Sequence, residues 1–556
     1  MGRSGSDRPR ILDFGPTRTC FRPGSEAVVS LTIDGGGGPL DARVELCDDE
    51  RILAATERRL RLLAGRSVRR FRFRLPNVAR HGYGLRLRLE GRGMTTEAHS
   101  AVEALAGWWE SPRHAALTEF APGTAASVAV ERLLRWHVNV AQFYDWMYRH
   151  YRYDPPGGAT VFSDTLGRVV SHGVVRELVR QCRRKGIASL AYGSVYGAER
   201  EYVECHPDEL LRDADGQGLS LGETFFITDL RPQSPWRRRL IREYIGACRR
   251  FGFDGIHMDQ YGEPHEGFAA DGSVVKLAEL YAGLVDEAAD QLARLSPRRR
   301  VLFNCVGGWP LEQLVRARSA ASYIEIWPPD TTYRSVLAQI ERARSLAPTK
   351  HVVVAAYPSI IATQSDDGGP TPTSLEAALL LSSVVLAAGA YHHVLAERDR
   401  LLVGGYYPEA VSLTDSAAEA MRLAWQFSAR YVHLLSDTGN ERIAINGLTV
   451  EADGRALPLS SEPRARAIWA RAVRASDGKV IVQLVDLLEQ PSDEWDAFRQ
   501  PAVRRDDWRF SWHGLERRWF FASPWSNGGT AQQLSPAAVP LIPAFERWAM
   551  LIGDDR

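Results

Sequence analysis

The chain has little cysteine for its length, six residues in 556, at positions 20, 47, 182, 205, 248 and 305. None stands in a CxxC pair or at Cys/His ligand spacing, which argues against a zinc site. Reduced core thiols are expected, with Cys182 and Cys248 on helices and Cys305 in a buried strand. Neither sign of charge is in excess. Sixty-nine basic and 68 acidic residues leave a net charge of +1, so nothing favours nucleic acid or an anionic membrane surface as a partner. Long apolar runs are missing too. The longest uncharged run, Ala377 to Tyr391, is too short to span a bilayer and reads as a buried helix leading into a strand. The opening MGRSGSDRPR contains no apolar leader, so the expectation is a cytoplasmic protein as the sequence stands, or a secreted one if a leader has been trimmed. Gly2 with Ser6 formally fits a short acylation pattern. There is no solenoid-length repeat and no low-complexity tract. What remains has an ordinary globular composition, with chain enough for two or three domains.

The period of the apolar residues changes twice along the chain. Over residues 9–108, Phe71, Phe73 and Leu75 alternate with Arg70, Arg72 and Arg74, and Leu85, Leu87 and Leu89 with Arg86 and Arg88. That is the period of strands with one buried and one wet face. Turn signals such as GGGG at 35–38 separate them, which predicts an immunoglobulin-like β-sandwich. Over residues 109–432 strands alternate with amphipathic helices. Eight candidate strands fall at 138–145, 187–193, 224–229, 254–259, 301–305, 322–326, 351–357 and 390–395. Helices such as 176–186 and 235–252, the latter opened by Ser234 and Pro235, lie between them. Eight such units predict a (β/α)8 barrel. An open doubly wound sheet would want a glycine-rich phosphate turn after its first strand, where this chain has Tyr-Asp-Trp. Over residues 433–556, ARAIWARAV, KVIVQLVDL and WRFSWHGLERRWFFAS read as strands of a C-terminal antiparallel β domain. The predicted fold is thus multidomain, a central barrel flanked by two β domains.

Two acids stand at predicted strand ends: Asp259 in GFDGIHMDQYG and Glu325 in ASYIEIWPPD. The C-terminal ends of parallel strands are where such barrels keep their chemistry, and two carboxyls beside aromatics suit glycosidic bond cleavage. Ile324, Ile326 and Trp327 should raise the pKa of Glu325, while His257 and Tyr261 are candidate donors that keep Asp259 ionised. Tyr144, Trp146, Tyr192, Tyr196, Trp327 and Tyr407 are candidates for stacking on sugar rings, and His257, Gln260 and Asn304 for binding them. His257, His392 and His393 lack the carboxylate spacing that would complete a metal set. No metal or cofactor is expected.

The strand-end elements FYDWMYRH (143–150), AYGSVYG (191–197), DGIHMDQYG (254–262), FNCVGGW (303–309), IEIWP (324–328) and a late YYP (406–408) occur in an order that closely resembles glycoside hydrolase family 66, the endo-dextranases and cycloisomaltooligosaccharide glucanotransferases. The resemblance runs from about residue 9 to the C-terminus. It implies an α-1,6-glucan substrate (dextran or isomaltooligosaccharide) and a retaining double displacement. Asp259 would be the nucleophile, Glu325 the general acid/base and Asp145 a residue of the −1 subsite, with Asp399 near the sugar. Its cyclising members carry a carbohydrate-binding module within the barrel. The longest predicted connections here, about forty residues (145 to 187 and 259 to 301), leave no room for one beside a helix. Hydrolysis to linear products is therefore expected. Cyclising transfer, or sugar binding without turnover, is the alternative, and the sequence leaves the oligomeric state open.

Overall fold

The computed structural model describes residues 9–554, apart from 36, 63–64, 92, 366–367, 437, 506, 513–516 and 537–538. The leader and acylation readings at 1–8, the second glycine of GGGG and the middle of WRFSWHGLERRWFFAS lie outside the described residues.

Residues 10–104 build two facing sheets, one of three strands and one of five. In strand Ser67–Arg74, Phe71 and Phe73 are buried and Arg70, Arg72 and Arg74 exposed. Phe71 sits opposite Val29 on the neighbouring strand, and both belong to an apolar core shared with Leu85 and Leu87 of the other sheet. Arginines and acids interleave on the wet faces, as in the pair Arg72–Glu26.

The central part is a curled eleven-stranded sheet. Its parallel strands, in chain order, are β1 (His114–Leu117), β2 (Val140–Phe143), β3 (Ala188–Ser194), β4 (Gly255–Asp259), β5 (Arg300–Val306), β6 (Ser322–Glu325), β7 (Val352–Ala355), β8 (Tyr391–His393) and β9 (Leu395–Ala396). Each pairs with the next from β1 to β8. β9, two residues beyond β8, pairs in parallel with β1, so residues 391–396 bring the two ends of the run together.

Two of the expected strands need correction. Residues 224–229 are not part of this run: Phe225–Ile227 pairs antiparallel with Gly197–Ala198 and Ser220–Leu221 in a separate small sheet. The first strand is instead β1, the four-residue HAAL. Aromatic and β-branched content marks TFFITD as a strand but cannot say in which sheet, whereas HAAL has no β-branched residue at all. The two errors offset, so Asp259 and Glu325 still end the fourth and sixth strands, while FYDWMYRH follows the second. The longest connection becomes Ser194 to Gly255. It holds the small sheet and the helix Pro235–Arg250, not a further domain.

The helices start and stop where the sequence punctuates them. The helix α1 (Ala126–Arg135) follows β1, and α2 (His172–Lys185) is capped by Ser171 Oγ and ends at Gly186, whose φ of 74° suits glycine. The helix α3 (Pro235–Arg250) opens on the Ser234 cap, α4 (Leu277–Leu295) precedes β5 and α5 (Tyr333–Leu346) precedes β7. The uncharged run forms α6 (Pro372–Ala387), buried continuously from Glu376 to Ala387. It packs on β8 and on strand Val480–Asp486 of the C-terminal sheet. That strand and Ile468–Arg474 are covered on both faces: Trp469, Val473, Ile481 and Val485 join the central core, and Ile468, Ala470, Val482 and Leu484 join the core under a second, four-stranded sheet. Cys182, Cys248 and Cys305 are buried, on α2, α3 and β5, and Cys205 is exposed; all six cysteines are free. No helix among the described residues is long and apolar enough to cross a membrane.

Candidate active site

Strand β5 lies between the strands that carry Asp259 and Glu325, and its Asn304 reaches both. The Asn304 amide nitrogen donates to Asp259 Oδ1 and to Glu325 Oε2, each at 2.8 Å. Two acceptors on one nitrogen cannot stand more than about 5.6 Å apart, and the planar amide's two N–H directions put them at roughly 4.9 Å. The second oxygen of each acid has its own donor: Tyr192 Oη to Asp259 Oδ2 at 3.0 Å and Tyr357 Oη to Glu325 Oε1 at 2.9 Å. The donors to Asp259 are therefore Asn304, Tyr192 and the Gln260 backbone, in place of the expected His257 and Tyr261. Tyr261 Oη bonds Ser194 instead.

Glu325 is buried and Asp259 partly so, and both are held more strongly protonated than a free carboxyl. Burial, then the charge of Glu325, pushes Asp259 up to about 7 against the donors Asn304 and Tyr192. Burial raises Glu325 as well, against Asn304, Tyr357 and Trp327. At this separation two charges in an apolar setting repel strongly, so the pair retains one proton near neutrality.

Asp145 is held in the left-handed region at φ 47°, a costly conformation for a residue with a side chain. Its carboxylate stands 3.3 Å from Arg168 Nη2 and 3.6 Å from His150 Nε2. Arg168 lies in the turn of the hairpin formed by Val161–Ser163 and Val169–Ser171, a partner that nothing in the sequence around Asp145 announces. The His150 ring stacks on Phe225 at 4.5 Å. Burial lowers its pKa, but Asp145 and Glu199 outweigh that and raise it. Tyr144 packs its ring on Tyr192 and Tyr407, and Trp327, 40% exposed, offers the open aromatic face beside Glu325.

Other candidates sit elsewhere. Trp146 is wholly buried, donates to the Tyr192 carbonyl and packs on Phe251 and Phe253, so it has no free face for a sugar. Tyr196 is equally buried, its hydroxyl taken by the Tyr261 amide. Gln260 braces the Asn304 and Trp309 carbonyls. His257 points to the same side of β4 as Asp259 but one layer deeper, against Tyr323, and burial lowers its pKa to about 3. Asp399 is tied to Arg132 of α1 and to the indole of Trp136, which follows that helix. Tyr407 is buried and hydrogen-bonded to Tyr357 rather than open for stacking. Tyr357, the donor to Glu325, went unnoticed in sequence although VVVAAYP repeats the logic of IEIWP: a strand, a polar residue, then a proline.

Paired carboxyls of this spacing at parallel strand ends suit the cleavage of a glycosidic bond. The glycosyl hydrolase family 66 model matches residues 18–544, and the chain belongs to that family and is a glycoside hydrolase-type enzyme. It is 25% identical over 364 residues to a cycloisomaltooligosaccharide glucanotransferase of Niallia circulans, covering 61% of this chain and 37% of that protein. To a dextranase of Streptococcus salivarius it is 22% identical over 362 residues, covering 56% and 43%. The chain thus spans less than half the length of these curated relatives. A crystal structure of a Paenibacillus cycloisomaltooligosaccharide glucanotransferase complexed with cycloisomaltoheptaose has a similar fold, with a TM-score of 0.87 at 16% identity, covering 98% of this chain and 99% of that one.

Proposed function

We propose that the protein hydrolyses α-1,6-glucosidic bonds within dextran or isomaltooligosaccharides, with retention at the anomeric carbon. The observation that carries this reading is the Asn304 bridge, which holds the facing oxygens of Asp259 and Glu325 at about 4.9 Å, close to the roughly 5–5.5 Å of a double displacement and well below the 6.5 Å or more of a single one. The two family relatives, named for dextran and for cyclic isomaltooligosaccharide, support the substrate class. We read the curled sheet as a (β/α)8 barrel over residues 109–432, with β domains at 9–108 and 433–556.

Asp259 attacks the anomeric carbon while the bond to the glycosidic oxygen breaks. The bond's electron pair stays on that oxygen, which takes the proton of Glu325. Positive charge developing on the sugar favours an ionised Asp259, so in the complex the pair's single proton belongs to Glu325. Water then attacks the glycosyl ester, gives a proton to Glu325, and Asp259 leaves as carboxylate. Asp145, oriented by Arg168 and His150, holds hydroxyls of the same sugar.

Transfer to a sugar hydroxyl in place of water is the second reading, favoured by the glucanotransferase relatives. No connection here is long enough for an added binding module. Without a tether, water at about 55 M meets a chain end at an effective concentration of order millimolar. Mass spectrometry of a dextran digest tests the choice: linear isomaltooligosaccharides are expected, and a dominant series lacking one water per molecule would reassign the enzyme to cyclisation. Proton NMR in the first minutes should show the α-anomer; early β-anomer would remove the nucleophile from the scheme.

A further inference from the structure

Behind Glu325 a chain of buried side chains runs down into the interior of the curled sheet. Glu325 Oε1 accepts from Tyr357 Oη at 2.9 Å, Tyr357 Oη meets Tyr407 Oη at 2.6 Å, Tyr407 Oη meets Tyr323 Oη at 3.3 Å, and Tyr323 Oη meets His393 Nδ1 at 2.7 Å. All five residues are buried, His393 and Tyr323 completely. Each phenol has one proton to give. If Tyr357 spends its proton on Glu325, its oxygen can only accept from Tyr407. Tyr407 must then accept from Tyr323, and Tyr323 from His393, which fixes His393 as the tautomer protonated on Nδ1. The far nitrogen agrees: His393 Nε2 is buried with no hydrogen-bond partner, and an unpartnered ring lone pair costs less than an unpartnered N–H.

We infer that Tyr357, Tyr407, Tyr323 and His393 form a one-way donor chain that directs the transferable proton of Glu325 onto Oε2. Tyr357, whose oxygen already accepts from Tyr407, cannot turn round to accept from a protonated Oε1, so a proton placed there finds no acceptor in the chain. Oε2 shares Asn304 with Asp259, so it is the oxygen that faces the scissile bond. The same donors stabilise ionised Glu325 and so oppose the rise in pKa that burial imposes. The charged group facing Glu325 is Asp259, and its other neighbours are Asn304, Tyr357 and Trp327. His393 faces His114, His257 and His392, and burial first, then those three, holds it neutral. These are positioning residues, since they act through Glu325. The inference rests on the proposed role of Glu325, and the test separates the two.

The experiment compares Tyr357→Phe, Tyr323→Phe, His393→Leu and His393→Asn with wild type on an isomaltooligosaccharide and on an aryl glucoside whose leaving group needs no proton. Tyr357→Phe should lower kcat on the oligosaccharide about 10–100-fold, the worth of a hydrogen bond to a charged group, and first-step turnover of the aryl glucoside less than threefold. The alkaline limb of its pH profile should move up, because ionised Glu325 loses a donor. Tyr323→Phe and His393→Leu should shift the limb the same way by less, and His393→Asn, which restores an N–H, should return it. Equal losses on both substrates with unmoved limbs would reduce the chain to packing. A second readout needs no substrate. Tyr357→Phe should lower Tm more at pH 8 than at pH 5, and that difference should vanish in a Glu325→Gln background. Wild type inactive on every α-1,6-glucoside, with the Tm result as expected, would overturn the proposed function and leave the donor chain standing. A pH-independent Tm loss would overturn the chain.

Discussion

Asn304 decides the chemistry at the scale of single residues, because one amide with two protons sets the spacing of two acids. Asp259→Asn should lower turnover by several orders of magnitude, since an amide does not form the glycosyl ester; retention of more than a tenth of the wild-type rate would exclude Asp259 as nucleophile. Glu325→Gln should cost about 10²–10⁴-fold on glucan but far less in the first step on an activated glycoside. Azide should then restore turnover as a β-glycosyl azide, and equal losses on both substrates with no azide effect would move the acid elsewhere. Asp259→Asn also carries a stability prediction. The folded pKa of about 7 lies above the ordinary aspartate value of 3.8, so between those limits the folded protein binds more protons than the unfolded chain and loses stability as pH rises. The variant should therefore gain stability over wild type at pH 8, on the order of 1–3 kcal/mol, and much less at pH 4. A Tm difference that does not change with pH would show that the two forms of Asp259 are held alike. The residues legible in sequence were those whose type and strand-end position both carried meaning: Asp259, Glu325, Asn304 and Tyr192 do meet. Trp146, Tyr196, Gln260, His257 and Asp399 had the right type, but which face of the backbone they use is settled only by packing.

At the scale of elements, hydrophobic period made the alternation of strand and helix readable, and caps made the helix ends readable. It failed at β1, where four short residues are held by partners on both sides, β2 and β9, that lie far apart in sequence. It misplaced 224–229, which is strand in type but belongs to another sheet. The loop after residues Arg400–Leu402 shows the same limit. A Cβ on Gly405 would stand 3.1 Å from the Trp327 ring and 3.5 Å from Glu325 Oε1, so this glycine lets the loop close against the acid, yet nothing in GGYY announces it. Gly405→Val should displace Trp327, raise KM and lower kcat together by about tenfold or more, and leave Tm within a few degrees of wild type because the loop carries little core. Unchanged kinetics would mean that Trp327 has freedom to move aside.

At the scale of the whole molecule, the C-terminal part is bound to the central part by shared core and by ion pairs, Arg442–Glu341 and Arg334–Asp493 at the surface and Arg547–Glu376 in the interior. Glu376, in the buried face of α6, receives Arg547 in bidentate fashion, Nε to Oε1 at 2.8 Å and Nη2 to Oε2 at 2.8 Å. Around it Trp548 packs edge-on to Phe427 of the helix Asp415–Arg430. A pair this enclosed is weak evidence of net stabilisation, but removing one partner strands the other charge. Burial already raises the pKa of Glu376, with Arg547 pulling it down. Arg547→Met removes that pull, so the folded-state pKa rises further above the unfolded value of about 4.5. The folded protein then binds the extra proton, and stability falls as pH climbs through that window. Arg547→Met should therefore cost about 3–5 kcal/mol at pH 8, the usual consequence of an abandoned buried charge. At pH 5, where a larger share of Glu376 is protonated, it should cost less, and Arg547→Met with Glu376→Gln should recover most of the loss at pH 8. Urea unfolding at the two pH values measures all three. An equal loss at both pH values, not relieved by the second substitution, would show that the guanidinium matters for the packing of its stem and not for its charge.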